Sequence, residues 1–117
     1  MGGRSSKRKG ANGERVLVSI LAAEMGIPVK RILGQARDGG GDIRIGRYLI
    51  EVKRQERLAL PAWLAQAEAA ARRDGGTPVV AFRTNGQPWR AVIPLDDLIQ
   101  LLRDGLPTTL PEPTDAP

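Results

Sequence analysis

Asp42-Ile-Arg-Ile-Gly-Arg-Tyr-Leu-Ile-Glu51-Val-Lys53 is the stretch on which the reading of this chain turns. It divides into two short strands, 42–45 and 48–53, joined by Gly46-Arg47. A two-residue connection that opens with Gly is a favoured hairpin turn, because Gly accepts the positive φ such turns need. The turn sets a register: Ile45 opposite Tyr48, Arg44 opposite Leu49, Ile43 opposite Ile50, and Asp42 opposite Glu51. Opposed residues have Cβ atoms roughly 4.5–5.5 Å apart on one side of the sheet. Lys53 follows Glu51 by two, so it shares that side, while Val52 points to the other.

Opposed like charges weaken a sheet. A bound cation removes the conflict, and hard divalent ions such as Mg²⁺ take one or two carboxylates, waters and phosphates as ligands. The alternative is an exposed ribbon whose charges are screened by water. Ile43, Ile45, Leu49, Ile50 and Val52 make the hairpin too apolar for a solvated ribbon, which places these charges at the edge of a core.

In its order the chain resembles the PD-(D/E)xK nuclease superfamily. Gly41-Asp42 precedes the hairpin, Glu51-Val52-Lys53 ends it, and Glu14 stands in the helix before it. Within the superfamily the likeness is to archaeal-type Holliday junction resolvases and their phage relatives, over roughly residues 12–102. One departure is Gly41 where the family name has Pro, a position at which members vary. The resemblance implies that Asp42, Glu51 and the main-chain carbonyl of Val52 hold Mg²⁺, with Mn²⁺ as a substitute. It makes Glu14 an outer ligand and Lys53 the group that orients or deprotonates the attacking water. Spacing alone also allows Glu14 to be a first-turn acid that complements the helix dipole.

The chain has 117 residues, a net charge of +5 and no Cys or His. That length fits one domain with one core. The positive charge favours a polyanionic partner. Lack of Cys and His excludes disulfides, thiolate nucleophiles, imidazole bases and Cys or His metal sites. A basic start with no apolar segment behind it is not a secretion signal, so a cytoplasmic, non-secreted protein is expected. No long apolar run or basic amphipathic helix points to a membrane.

Residues 1–11 carry Arg4, Lys7, Arg8 and Lys9 among Gly and Ser. They read as a flexible basic arm that grips DNA phosphates, or equally as a solubility tail. Asn12 is the expected N-cap of a helix over 13–25, with Val16, Leu17, Ile20, Leu21 and Met25 as its buried stripe. Residues 29–33 read as a first strand and 34–41 as a Gly-rich loop. Gly39 and Gly40 there allow close approach of a DNA backbone, or form a plain connector. Asp38 is a weaker metal candidate than Asp42, since its loop position fixes no geometry.

Beyond Lys53, Arg54 opens a charged strand exit and is assigned to DNA contact. A helix over 60–73 has Pro61 in its first turn and an Ala-rich face. Gln66 lies in it where related nucleases often carry a polar residue near the site; a solvated helix position is the alternative. A strand over 78–82, a turn at Asn85-Gly86, a strand over 89–93 and a final helix from Pro94 follow. Asp96 and Asp97 suit its first turn. A Pro-rich tail occupies 106–117.

The order α-β-β-β-α-β-β-α implies an α/β (or α+β) domain over 12–105, a central mixed sheet of about five strands flanked by helices. The resemblance adds a restriction-endonuclease-like core. It implies a Mg²⁺-dependent DNA endonuclease, foremost a Holliday junction resolvase acting on four-way junctions as a homodimer. A nuclease for duplexes, flaps or ends, and a non-cutting DNA-binding module, are the rivals. Trp63 with Ala67, and Trp89, are candidate dimer surfaces, or ordinary core residues.

Overall fold

A computed structural model describes residues 3–37 and 40–106, with side chains over 12–29 and 43–106. In chain order the elements are α1 (Gly3–Met25), β1 (Lys30–Arg37), β2 (Gly40–Ile45), β3 (Tyr48–Arg54), α2 (Leu60–Asp74), β4 (Thr77–Arg83), β5 (Arg90–Val92) and α3 (Leu95–Gly105). The five strands form one sheet in the order β1-β2-β3-β4-β5. Only β3 and β4 run parallel. Parallel neighbours need a crossover, and α2 supplies it. The mixed sheet with flanking helices is the expected α+β class.

The β2–β3 register is the one the turn implies. Gly46 has φ +57°, and Asp42 pairs with Glu51, Ile43 with Ile50, Arg44 with Leu49 and Ile45 with Tyr48. Period-two alternation then sorts β3 into two faces. Ile50 and Val52 pack with Leu17 of α1, Ile43 and Ala81. On the other face Trp63 and Ala67 of α2 pack with Val80 and Phe82. The Trp63 and Phe82 rings lie 5.6 Å apart at 47°, a favourable tilted geometry. Ile43, Val52 and Val80 have no exposed surface, and each contributes about 1.5–3 kcal/mol by leaving water.

The α2–β4 connection closes onto the hairpin turn. Thr77 N donates to Arg47 O at 2.7 Å, and Arg44 Nη2 donates to Gly75 O at 2.8 Å. Gly76 sits between, at φ +111°, where a Cβ would lie 2.6 Å from Arg47 O. Only glycine fits there.

Several expectations are corrected. The first helix begins at Gly3, not after an Asn12 cap, so the backbone of 3–11 runs without a break into the rest of the helix. Arg and Lys are good helix formers, and extending an existing helix avoids a new nucleus. Gly13 lies inside it because α1 approaches β3 closely. A Cβ there would stand 2.6 Å from Arg54 Cβ. Val16, Ile20 and Met25 are exposed, and the buried stripe is Glu14 and Leu17 with half-buried Val18 and Leu21. Most of the expected 34–41 loop is strand, because β1 and β2 extend as a ladder with a register shift between Ile32 and Arg37. Asp38 and the tail 107–117 lie outside the described residues.

Trp63 and Ala67 are buried at 3% exposure. Their surface is spent on the chain's own sheet and is not open to a second copy. By contrast α3 buries no residue. It is held at Asp97, which accepts from Thr77 Oγ1 at 3.4 Å and stands 3.7 Å from Arg47 Nη2. Leu95, Leu98, Ile99, Leu101, Leu102 and Leu106 are all exposed. Among the described residues no helix is long and apolar enough to cross a membrane.

Candidate active site

Glu51 and Lys53 occupy the α2-facing side of β3, the central strand, and are 5% and 3% exposed. Burying a charged group is costly unless it is paired and hydrogen-bonded. Lys53 Nζ is hydrogen-bonded, donating to Gln66 Oε1 at 2.7 Å, and Glu51, of opposite charge, stands two residues before it on the same face. Gln66 is on α2, so the crossover helix that completes the sheet also fixes the Lys53 ammonium. The solvated reading of Gln66 is thereby set aside.

Glu14 comes from α1, on the other face, and is 5% exposed, one turn before Leu17. Its burial exceeds what an ordinary first-turn dipole acid requires. With the helix starting at Gly3, Glu14 is not in the first turn at all. The dipole reading therefore loses its basis. Glu14 and Gln66 thus flank β3 from opposite sides.

Asp42 lies on β2 between Ile32 and Glu51 in register. Its side chain falls outside the described ones, as do those of Arg4, Lys7, Arg8 and Lys9. Gly39 is outside the described residues, and Gly40 begins β2. Val52 is wholly buried, so only its main chain is available to a ligand. Among the described residues no cluster of three or more Asp, Glu, His or Cys marks a metal site. The Asp42 carboxyl is not among those described side chains. Two carboxylates in register and a main-chain carbonyl are all hard oxygen donors, a set that fits Mg²⁺ or Mn²⁺.

Arg54, last in β3, pairs in register with Arg83, last in β4. Arg54 Nη2 donates to Asn85 Oδ1 at 2.9 Å, and Arg83 Nε to Gln87 O at 2.8 Å. Both partners are neutral. The position of Arg83 beside Arg54 was not legible in the sequence, because it follows from the parallel β3–β4 pairing.

One solved structure that the chain matches is Hjc from Archaeoglobus fulgidus, a Holliday junction resolvase from an archaeal hyperthermophile. It is 23% identical, with a TM-score of 0.47 over 73% of this chain and 72% of that one. No curated protein matches the chain significantly. A family model described as "Phage putative PDDEXK endonuclease" matches residues 5–112. That span takes in α1, both strands of the hairpin, Glu51-Val52-Lys53 and α2, and the chain belongs to this phage PDDEXK endonuclease family.

Proposed function

We propose that this endonuclease cuts DNA with a divalent cation, Mg²⁺ foremost, and that its preferred substrate is the four-way junction. What supports the chemistry is one relationship: Asp42 opposite Glu51 in register, with Lys53 two residues on, buried and hydrogen-bonded. Asp42, Glu51 and the Val52 carbonyl would hold the cation, with Glu14 assisting from α1. When bound, such a cation polarises the scissile phosphate and lowers the pKa of an attacking water.

The remaining roles belong to the chain. Gln66 Oε1 takes one N–H of Lys53. An ammonium has three donors, so two remain to meet the attacking water and the charge that develops on the phosphoryl oxygens. A fixed donor aimed at developing charge contributes about 10²–10³ in rate. The net charge of +5 favours contact with the DNA backbone, which is met by shape and not through base edges, and a junction is defined by shape. Paired cuts in a junction need two equivalent sites, which a two-fold homodimer supplies. The exposed apolar side of α3 is the surface we assign to it.

The test is a cleavage panel of four-way junction, Y-fork, flap, linear duplex and single strand, each with Mg²⁺ or with EDTA. Cutting confined to Mg²⁺ and strongest on the junction is expected. Asp42→Ala, Glu51→Ala and Lys53→Ala should each abolish it while DNA binding persists, and Glu14→Gln should lower it substantially. Full activity in EDTA, or wild-type rates in Glu51→Ala, would remove the metal reading. Equal cutting of linear duplex would leave the family and remove the junction.

A further inference from the structure

A cavity of about 190 Å³ opens between α1 and the ends of β3, β4 and β5, lined by Asn12, Gly13, Val16, Arg54, Arg83 and Trp89. It lies on the α1 side of β3, while Glu51 and Lys53 face α2. Two of its lining groups carry buried donors with no hydrogen-bond partner among the described residues, Arg54 Nη1 and Trp89 Nε1. Leaving either unpaired is costly, more so for the charged one. Arg54 and Arg83 donate to neutral oxygens of Asn85 and Gln87, so those bonds leave the charge of both guanidinium groups uncompensated.

We infer that this cavity is a phosphate subsite, which holds a backbone phosphate of the DNA strand next to the one cut at Lys53. The inference rests on the proposed action on DNA. An oxyanion offers several lone pairs at once and accepts from both orphaned donors, where a carbonyl or single water satisfies them less fully. Arginine suits the task, because its planar fork matches phosphate and it is weakly hydrated. Position supports the same assignment. Arg54 directly follows Lys53 on β3, so a strand laid across the end of β3 meets Lys53 on one face and Arg54 on the other. Asn85 and Gln87 hold the two guanidinium groups in place beforehand, so little ordering remains to be done on binding.

The experiment measures DNA affinity in EDTA, by anisotropy of a labelled junction, across a salt series. Wild type is compared with Arg54→Met, which keeps the stem that packs on Gly13, and with Trp89→Phe, which keeps a ring and removes the N–H. Arg54→Met should weaken binding about tenfold and reduce the slope of log K against log salt by about 0.9, as expected when one phosphate fewer is neutralised. Trp89→Phe should weaken binding a few-fold with the slope unchanged, because a neutral donor releases no counterion. In Mg²⁺ both should raise KM with little change in kcat, as removal of uniform binding does.

Wild-type affinity and slope in both variants would make this a water-filled cavity and overturn the inference while leaving the nuclease reading intact. Wild-type protein that neither binds nor cuts DNA would overturn both. Tryptophan fluorescence that responds to inorganic phosphate, with DNA slopes unchanged, would identify a free-anion site and reject the DNA subsite. If Arg54→Met fails to fold, Trp89→Phe alone decides, by its effect on DNA affinity.

Discussion

Lys53 Nζ and Gln66 Oε1 are 2.7 Å apart, one on the central strand and the other on the helix that crosses over to the next parallel strand. The same crossover that closes the fold therefore aims the ammonium. In the proposed mechanism Gln66 is a positioning residue that acts through Lys53. Gln66→Ala should lower kcat about tenfold, with KM and DNA affinity in EDTA near wild type. Gln66→Glu keeps an acceptor at the same reach and should retain more activity than Gln66→Ala. Single-turnover cleavage separates these outcomes. Loss of DNA affinity in Gln66→Ala would instead make it a substrate contact.

The hairpin was legible because its information is local. A Gly-led turn fixes register, and register fixes which residues face each other. Gln66 was legible through the family resemblance as a polar helix position near the site; its bond to Lys53 depends on how α2 seats on the sheet. Two misreadings share one cause. The apolar spacing on α1 selects Val16, Leu17, Ile20, Leu21 and Met25, yet of these the sheet covers Leu17 and part of Leu21, with Glu14 beside them. Periodicity finds a helix but does not rotate it. The glycines of the 34–41 segment suggest a turn and hide its strand character. Pairing between β1 and β2 outweighs that local preference, as tertiary context does for strand propensity generally.

Gly13 gives a test in which packing and propensity oppose each other. Ala is the better helix former by about 1 kcal/mol. A Cβ at this position, however, would stand 2.6 Å from Arg54 Cβ. Neither atom is the free end of a side chain, so backbone must shift, and overpacking of this kind costs about 1–3 kcal/mol. Gly13→Ala should therefore destabilise the protein, seen as a lower midpoint in urea with unchanged slope. A raised midpoint would mean that α1 does not seat on β3 at this distance.

The basic residues Arg4, Lys7, Arg8 and Lys9 lie on the first turns of α1. If they meet DNA phosphates they do so from a helix, with less ordering on binding than a flexible arm needs. Replacing all four with Gln should weaken junction binding and reduce the salt slope by about 0.9 for each phosphate no longer neutralised. Helicity by circular dichroism should stay close to wild type, because Gln is also a good helix former. An unchanged salt slope would show that this segment does not touch DNA.

The assembly is testable at α3. Leu95, Leu98, Ile99, Leu102 and Leu106 recur at helical spacing and are all exposed, so the described residues leave this stripe uncovered. A two-fold axis perpendicular to α3 pairs two copies of it antiparallel. The charges beside the stripe suit that arrangement. Asp96 is in the first turn and Arg103 in the last, seven residues apart and hence on one flank. In an antiparallel pair each Asp96 meets Arg103 of the second copy. Light scattering at micromolar concentration should give about twice the 12.6 kDa chain mass. Leu98→Lys should yield a monomer that still binds DNA but cuts a junction in one strand at a time. Asp96→Arg and Arg103→Asp should each weaken the dimer, and the two together should restore it. Dimers that persist in Leu98→Lys would move the interface elsewhere; a wild-type monomer that cuts junctions in pairs would remove the need for one.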